Sequence, residues 1–440
     1  MKAGACELDI TPAVGSEIPG QWLRRTATHV RDALKVNALA FESQGTPAAL
    51  VSCDALSLKN RVVADLRRRL SSLVNPECLL LAATHTHTGP PICDVLGSTS
   101  DETTIAALVD AIEQAVRTAF DRFDTARVGW ATTPAPGFAF PRRWRMADGT
   151  AQMHPRKDDP NLVEPESDAD DTLTVMSVCR PDGSPIALAV NFACHATFVG
   201  GERYYCADYP GVVRRSAQQA LGEDAVVLYL NGPCGDVCQD DVADLNESRF
   251  GEEPMERIGA QLAARAVSLA TQACSAGALG PAKHPIIRGA TELIPIAVRA
   301  VPDADLRRAE EWAVGRSLDE VPQNVDEIKM RELLIVEQER RDRPILDIEA
   351  GGLRVGDGAL VALPGEIFAS IGRDIRADSP FRHTAIVELA NGCYGYVPIA
   401  DAFPRGGYET WLCRSSRLMP EAAGQMVEAG RRVLARLAAE

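Results

Sequence analysis

The amino-acid sequence predicts an α/β fold, with a mixed and largely buried β-sheet core flanked by helices. Two patterns carry that expectation. Residues 61–71, 105–120, 211–221, 257–271 and 421–438 show helical apolar spacing. Between them lie short apolar runs without a helical period, at 48–51, 78–83, 173–178, 186–194, 225–230, 359–363 and 384–389. Runs of that length with no polar alternation read as strands buried on both faces, which implies a sheet sandwiched by helices.

Each element has a local justification. Asp208-Tyr209-Pro210 supplies an N-cap acid and an early proline for the helix over 211–221. A helix is expected to begin near Ile367, after Pro364-Gly365-Glu366, where a first-turn acid stabilises it by about 0.3–1 kcal/mol. The acid-rich stretch 156–171 reads as a surface loop. The charged stretch 303–343 reads as exposed helices with mixed-sign pairs such as Glu310 and Arg316. No tandem repeat, low-complexity tract or flexible linker is visible, so residues 1–440 are expected to form one catalytic domain.

Composition narrows the function classes. Of 440 residues, 46% are hydrophobic and 24% charged, an ordinary globular balance. Lys plus Arg total 46 and Asp plus Glu 61, a formal net charge of −15 that repels phosphate backbones and anionic headgroups. Nucleic-acid partners and a stable membrane anchor are therefore not expected. No apolar run approaches the roughly 20 residues of a membrane span, and Glu7 interrupts what a signal peptide would need. A cytoplasmic enzyme is the default, with a homodimer the commonest assembly for such proteins. Twelve scattered cysteines, several inside apolar runs, read as reduced structural thiols.

The chemistry gathers at strand ends. The run 78–83 leads into Thr84-His85-Thr86-His87-Thr88-Gly89-Pro90, and 186–194 into His195. The run 225–230 ends at Asn231-Gly232-Pro233-Cys234-Gly235-Asp236-Val237-Cys238. The last two runs end at Pro364-Gly365-Glu366 and at Asn391-Gly392-Cys393-Tyr394-Gly395-Tyr396. In open α/β sheets such loops converge on one crevice. His85 and His87, two apart in an extended segment, point the same way and can share one metal or one metal and its substrate. With His195 and Glu366 they make a donor set typical of catalytic zinc with a position left open; Glu366 as a mere helix cap is the alternative. Cys238 near Asp236 is a rival candidate, a covalent nucleophile, although Gly232-Pro233-Cys234-Gly235 equally reads as a tight turn.

These segments resemble the neutral, non-lysosomal ceramidases. Residues 84–90 are similar to that family's HTHSGP motif, Gly235-Asp236-Val237-Cys238 to GDVSPN, Pro364-Gly365-Glu366 to PGEF, Asn391 to Tyr396 to NVYTHY, and Tyr408-Glu409 to the YEA that follows. Glu7-Leu8-Asp9-Ile10-Thr11-Pro12 resembles the DITP opening, and Val51-Ser52-Cys53-Asp54 an early strand ending in Asp. The resemblance implies the ceramidase catalytic domain without a C-terminal immunoglobulin-like domain. It implies one Zn2+ held by His85, His195, Glu366 and Tyr396, with His87 facing the substrate. Tyr408 would hydrogen-bond the carbonyl or oxyanion, and Arg142, or Arg143 beside it, would match a family arginine. Asp208 falls where the family has a Ser-Gly-Asp or Ser-Ala-Asp loop. The family's serine after GDV is Cys238 here, a poorer hydrogen-bond donor.

The expectation is thus a zinc-dependent amidohydrolase cleaving a soluble N-acyl amine rather than ceramide, with esterase or lactonase activity as the alternative. Asp236 is expected to orient water or shuttle a proton, and Tyr396, as a ligand, to have a lowered pKa.

Overall fold

The computed structural model describes residues 1–275 and 285–439. One order of elements, β-β-β-α-β-α, occurs three times. The first unit comprises β1 (Lys2–Asp9), β2 (Lys35–Ser43), β3 (Thr46–Cys53), α1 (Asn60–Leu70), β4 (Leu79–Ala83) and α2 (Glu102–Asp121). The second comprises β5 (Arg127–Pro134), β6 (Thr172–Cys179), β7 (Pro185–Phe192), α3 (Asp208–Leu221), β8 (Val226–Asn231) and α4 (Glu252–Ser275). The third begins with β9 (Ile287–Ala297), inserts α5 (Asp303–Ala313) and α6 (Val325–Asp342), and continues with β10 (Ile345–Val355), β11 (Gly358–Leu363), α7 (Ala369–Ala377), β12 (His383–Glu388) and α8 (Ala422–Ala438).

The sheets have matching orders: β4-β3-β2-β1, with the short strand Asp124–Thr125 beyond β1, then β8-β7-β6-β5 and β12-β11-β10-β9. In each, the first three strands run antiparallel and the last pairs parallel with the third. A parallel neighbour needs a crossover, and α1, α3 and α7 supply it. No repeat is visible in the sequence because the units share a topology while their burial patterns and insertions differ.

Packing explains the unbroken apolar runs. The three sheets share one central core: Val226, Leu228 and Leu230 of β8 and Ala385 and Val387 of β12 face it. The alternate residues face helices, Val227 and Tyr229 against α3 and α4, Ile386 against α7 and α8. Each inner strand is therefore buried on both faces, as expected, but by a sheet on one side and helices on the other. The α/β class and all seven inferred strands are found. The strands β1, β2, β5, β9 and β10 had no such signal.

Local corrections have physical causes. Asp208 opens α3 rather than preceding it: its φ is +56°, and its carboxylate accepts the N–H groups of Tyr209 and Val199. The acid-rich stretch 156–171 contains a strand, Leu162–Pro165, paired with Arg143–Met146, and its Glu166 and Asp170 are buried against Arg143 and Arg376. The helices of 303–343 are present, but α6 buries Arg331, Glu332 and Glu337, and Arg316 reaches Glu327 instead of Glu310. Of the eleven cysteines whose side chains are described, ten are buried. Among the described residues no helix is long and apolar enough to cross a membrane.

Close approach of β1 to α2 depends on Gly4, where an added Cβ would sit 2.2 Å from the Ala119 carbonyl oxygen. Gly4→Ala is expected to destabilise the fold by about 1–3 kcal/mol, read as a lower urea midpoint with an unchanged m-value.

Candidate metal centre

The exits of the third and fourth strands of each unit meet at one place. Three residues beyond β3, β7 and β11 stand Leu56, His195 and Glu366; just beyond β4 stands His85, with His87 behind it. The two-residue strands Glu366–Ile367 and Tyr396–Val397 pair in parallel with Glu366 opposite Tyr396, which sets these two side chains beside each other.

Three backbone carbonyls decide the protonation of the histidines. His85 Nδ1 donates to Leu56 O at 2.8 Å, His87 Nδ1 to Gly20 O at 2.7 Å and His195 Nδ1 to Cys234 O at 3.0 Å. A carbonyl only accepts, so each imidazole keeps its proton on Nδ1 and presents a bare Nε2 lone pair. Those lone pairs converge: His85 and His195 Nε2 are 2.9 Å apart, His85 and His87 Nε2 3.4 Å, and all three lie within 4.8 Å. Glu366 Oε2 lies 3.4 Å from His85 Nε2 and 3.8 Å from His195 Nε2.

Such a group can hold a metal ion. Facing lone pairs repel unless a cation lies between them. Donors of a tetrahedral zinc, at bonds of about 2.0–2.1 Å, sit about 3.3 Å apart, and the His85, His195 and Glu366 separations bracket that value. His87 meets that spacing only toward His85. Burial pushes the His87 and His195 imidazoles well below their ordinary pKa, with neighbouring His85 and Arg142 charges acting the same way, so both stay neutral donors. Burial also lowers His85, but the Glu366 and Glu388 carboxylates favour its charged form and outweigh this, so that its pKa is raised. His85 has a φ of +68°, a conformation that non-glycine residues adopt at a cost and that concentrates at functional sites.

Arg142, not Arg143, reaches this centre. Its Nη1 lies 3.1 Å from His195 Nε2 and its Nη2 donates to the Tyr396 hydroxyl at 3.0 Å, while its Nε donates to Glu409 at 2.9 Å. Arg143 is fully buried behind it, bonded to Glu409, Glu166 and the Gly406 carbonyl. Burial raises the Glu409 carboxyl, but the two guanidinium groups overcome that and hold it below its ordinary range. In the metal-free protein burial drives the Tyr396 phenol well up, against the pull of Arg142; the expectation of a lowered pKa concerns the metal-bound residue.

Asp236 and Cys238 are both buried. The Asp236 oxygens accept from the Ala369 N–H at the start of α7 and from the Ser167 hydroxyl, both at 2.7 Å, so Asp236 serves as the anchor of α7 and leaves Glu366 free of the capping role. Its backbone carbonyl accepts the Arg142 N–H at 3.0 Å and positions that residue. Cys238 is fully buried, and desolvation pushes its thiol up to about 12, the opposite of an activated nucleophile.

Two acids carry roles that the sequence did not assign. Glu388, the single acid in its apolar strand and fully buried, accepts the N–H groups of Ile367 at 2.8 Å and Cys234 at 3.0 Å. It thereby ties the Glu366 turn to the Cys234 loop whose carbonyl orients His195. Gly235 makes this approach feasible, since a Cβ there would lie 2.7 Å from the Glu366 carbonyl oxygen. Glu409, next to Tyr408, is the other. A cavity of about 460 Å³ opens from His87, His195 and Arg142 and is walled by Trp22, Phe198, Phe250 and Tyr408. The Tyr408 ring stands edge-on to Tyr396 with centroids 5.6 Å apart.

No protein-family model matches the sequence, and no curated protein does. Solved structures do. The neutral ceramidase from Pseudomonas aeruginosa aligns with a TM-score of 0.73 over 100% of this chain and 75% of its own, at 17% identity. A ceramidase complexed with C2 aligns with a TM-score of 0.71 over 100% of this chain and 76% of its own, at 18% identity. The chain has the neutral ceramidase fold. The similarity spans all three units and so includes every strand exit that delivers a ligand candidate.

Two outcomes test this geometry. Native protein treated with iodoacetamide is expected to carry no label at Cys238 on peptide mass mapping, with labelling appearing only in denaturant. Burial raises Glu388 to about 7, so the folded state binds its proton more tightly than the unfolded state does. In metal-free protein this group is then expected to cost stability progressively as pH rises from about 4.5 to 7, by on the order of 3 kcal/mol. Urea titrations across that range should show this component lost in Glu388→Gln, which cannot ionise.

Proposed function

We propose that this chain is a zinc-dependent hydrolase that cleaves a carboxamide of the N-acyl amine type. The observation that carries the reading is the convergence of three bare imidazole nitrogens and one carboxylate at the mouth of an aromatic cavity. Two solved structures that share its fold are ceramidases, which favours an amide over an ester as the bond cleaved. The donor set, neutral imidazoles with one carboxylate, suits zinc. Of the candidates, His85, His195 and Glu366 have the spacing of ligands; Tyr396, paired with Glu366, is the fourth.

The cation supplies a Lewis acid that polarises a carbonyl and brings the pKa of water toward neutrality. The chain does the rest. Arg142, clamped by Glu409, fixes a positive charge beside Tyr396 where negative charge develops on the carbonyl oxygen. Burial raises the Tyr408 phenol well above its ordinary range, so it stays protonated and donates to that oxygen. His87 is neutral with Nδ1 bound to Gly20, leaving Nε2 to take a proton from water and return it to the leaving nitrogen. The overall change is hydrolysis of R–CO–NH–R′ by one water to the carboxylate R–COO⁻ and the protonated amine of R′, with the carbon–nitrogen bond broken and a carbon–oxygen bond formed.

Plasma mass spectrometry of active enzyme should find about one zinc per chain, and His195→Ala and Glu366→Gln should lose it together with amide turnover. Active enzyme without stoichiometric divalent metal would end this reading. Tyr408→Phe is expected to lower kcat about 10²–10³-fold with KM little changed, the usual cost of one oxyanion donor. Faster cleavage of a matched ester than its uncatalysed reactivity explains would reassign the bond.

A further inference from the structure

A second cavity, of about 200 Å³, abuts the same centre from the other side. His85 and Glu366 form part of its wall, whereas His87, His195 and Tyr396 face the aromatic cavity. A bond cleaved at the ligand set therefore has one cavity on either side of it, one for each half of the substrate.

The two cavities differ in chemistry. The larger is lined by Trp22, Phe198 and Phe250 and suits an apolar group. The smaller is lined by charged groups of both signs, Lys59, Arg414 and Arg417 with the acids Asp94 and Glu339 that partner them. Lys59 is held by Asp94 at 2.6 Å. Arg414 is bound through Nε and Nη2 to Glu332, which is fully buried on α6, and Arg417 Nε faces Glu339 at 3.6 Å. Arg414 Nη1 and Arg417 Nη2 find no hydrogen-bond acceptor among the described residues, and Arg417 Nη1 donates to the Arg414 backbone carbonyl, which ties the Arg417 side chain to that segment. Free guanidinium N–H groups at adjacent arginines match a carboxylate in both charge and planar geometry. The volume lies below the roughly 300 Å³ at which drug-sized sites begin, enough for a group of amino-acid size.

Resting on the hydrolase reading above, we infer that the smaller cavity binds a carboxylate on the amine half, and that the substrates are N-acyl amino acids with the acyl chain in the aromatic cavity. The reaction is hydrolysis of R–CO–NH–CHR″–COO⁻ by one water to R–COO⁻ and the free amino acid as its zwitterion. The carbon–nitrogen bond breaks and the nitrogen leaves as an ammonium group; the α-carboxylate is unchanged and serves only for recognition.

The test compares N-hexanoylglycine with N-hexanoylglycinamide, which differ only in that carboxylate, on zinc-loaded enzyme. A charged hydrogen-bonded contact predicts kcat/KM about 10–100-fold higher for the acid, and Arg417→Gln should collapse the ratio toward one through KM. Calorimetry of N-hexanoylglycine on metal-stripped protein supplies a readout independent of turnover, with binding weakened about tenfold or more in Arg417→Gln and partly restored in Arg417→Lys; melting temperatures exclude a folding defect. Equal turnover of acid and amide overturns the carboxylate site while leaving the hydrolase intact. Binding that depends on Arg417 without turnover of either compound upholds the site and overturns the hydrolase. Neither turnover preference nor Arg417-dependent binding overturns the inference outright.

Discussion

Three peptide carbonyls govern this structure. By accepting the Nδ1 protons of His85, His87 and His195, Leu56, Gly20 and Cys234 force three Nε2 lone pairs to point at a common centre. An imidazole left to itself would rotate or exchange tautomer to avoid that repulsion; here the ring orientations are fixed from outside. The buried Glu388 extends the control one layer further, because it positions both the Cys234 loop and the turn bearing Glu366. The electrostatic cost of the arrangement is what makes a cation at its centre favourable.

A second constraint acts beside it. Glu409 is fully buried between Arg142 and Arg143, so one carboxylate aligns two guanidinium groups with different tasks. Arg143 closes the structure behind the site, and Arg142 turns toward His195 and Tyr396. Breaking a buried pair by removing one partner strands a charge and costs about 3–5 kcal/mol, so the geometry of Arg142 is as firm as the fold.

Much of this was legible in the chain. The third and fourth strands of each unit, and β6, announced themselves because sheet on one face and helix on the other left few polar positions, and the histidines and Glu366 stood where the third and fourth strands ended. The outer strands β1, β5 and β9 carry polar residues on part of their length and lacked the signal. Roles were harder than places. Asp236 and Glu366 both follow strands and precede a helix, and only the hydrogen bond from Ala369 shows that Asp236 holds α7 while Glu366 turns to the histidines. Cys238 sits in a suggestive motif, yet it is completely buried and its thiol is disfavoured as thiolate. Glu388 went unnoticed because a lone acid has no local signature, and Glu409 was visible only as the companion of Tyr408; their partners come from distant units.

The threefold order of elements has a consequence for how the molecule divides its labour. Donor atoms come from the exits of third and fourth strands, whereas the first connection of each unit is a long detour, at 10–34, 135–171 and 298–344. Those detours supply Trp22, Met153 and His154 to one chamber wall and, through Glu332, brace Arg414 in the other. Scaffold and upholstery thus come largely from different stretches of polypeptide, joined where Gly20 orients His87 and Arg142 reaches His195: the outer part of such a loop can change its lining and admit a different guest while the chelating frame beneath it stays put.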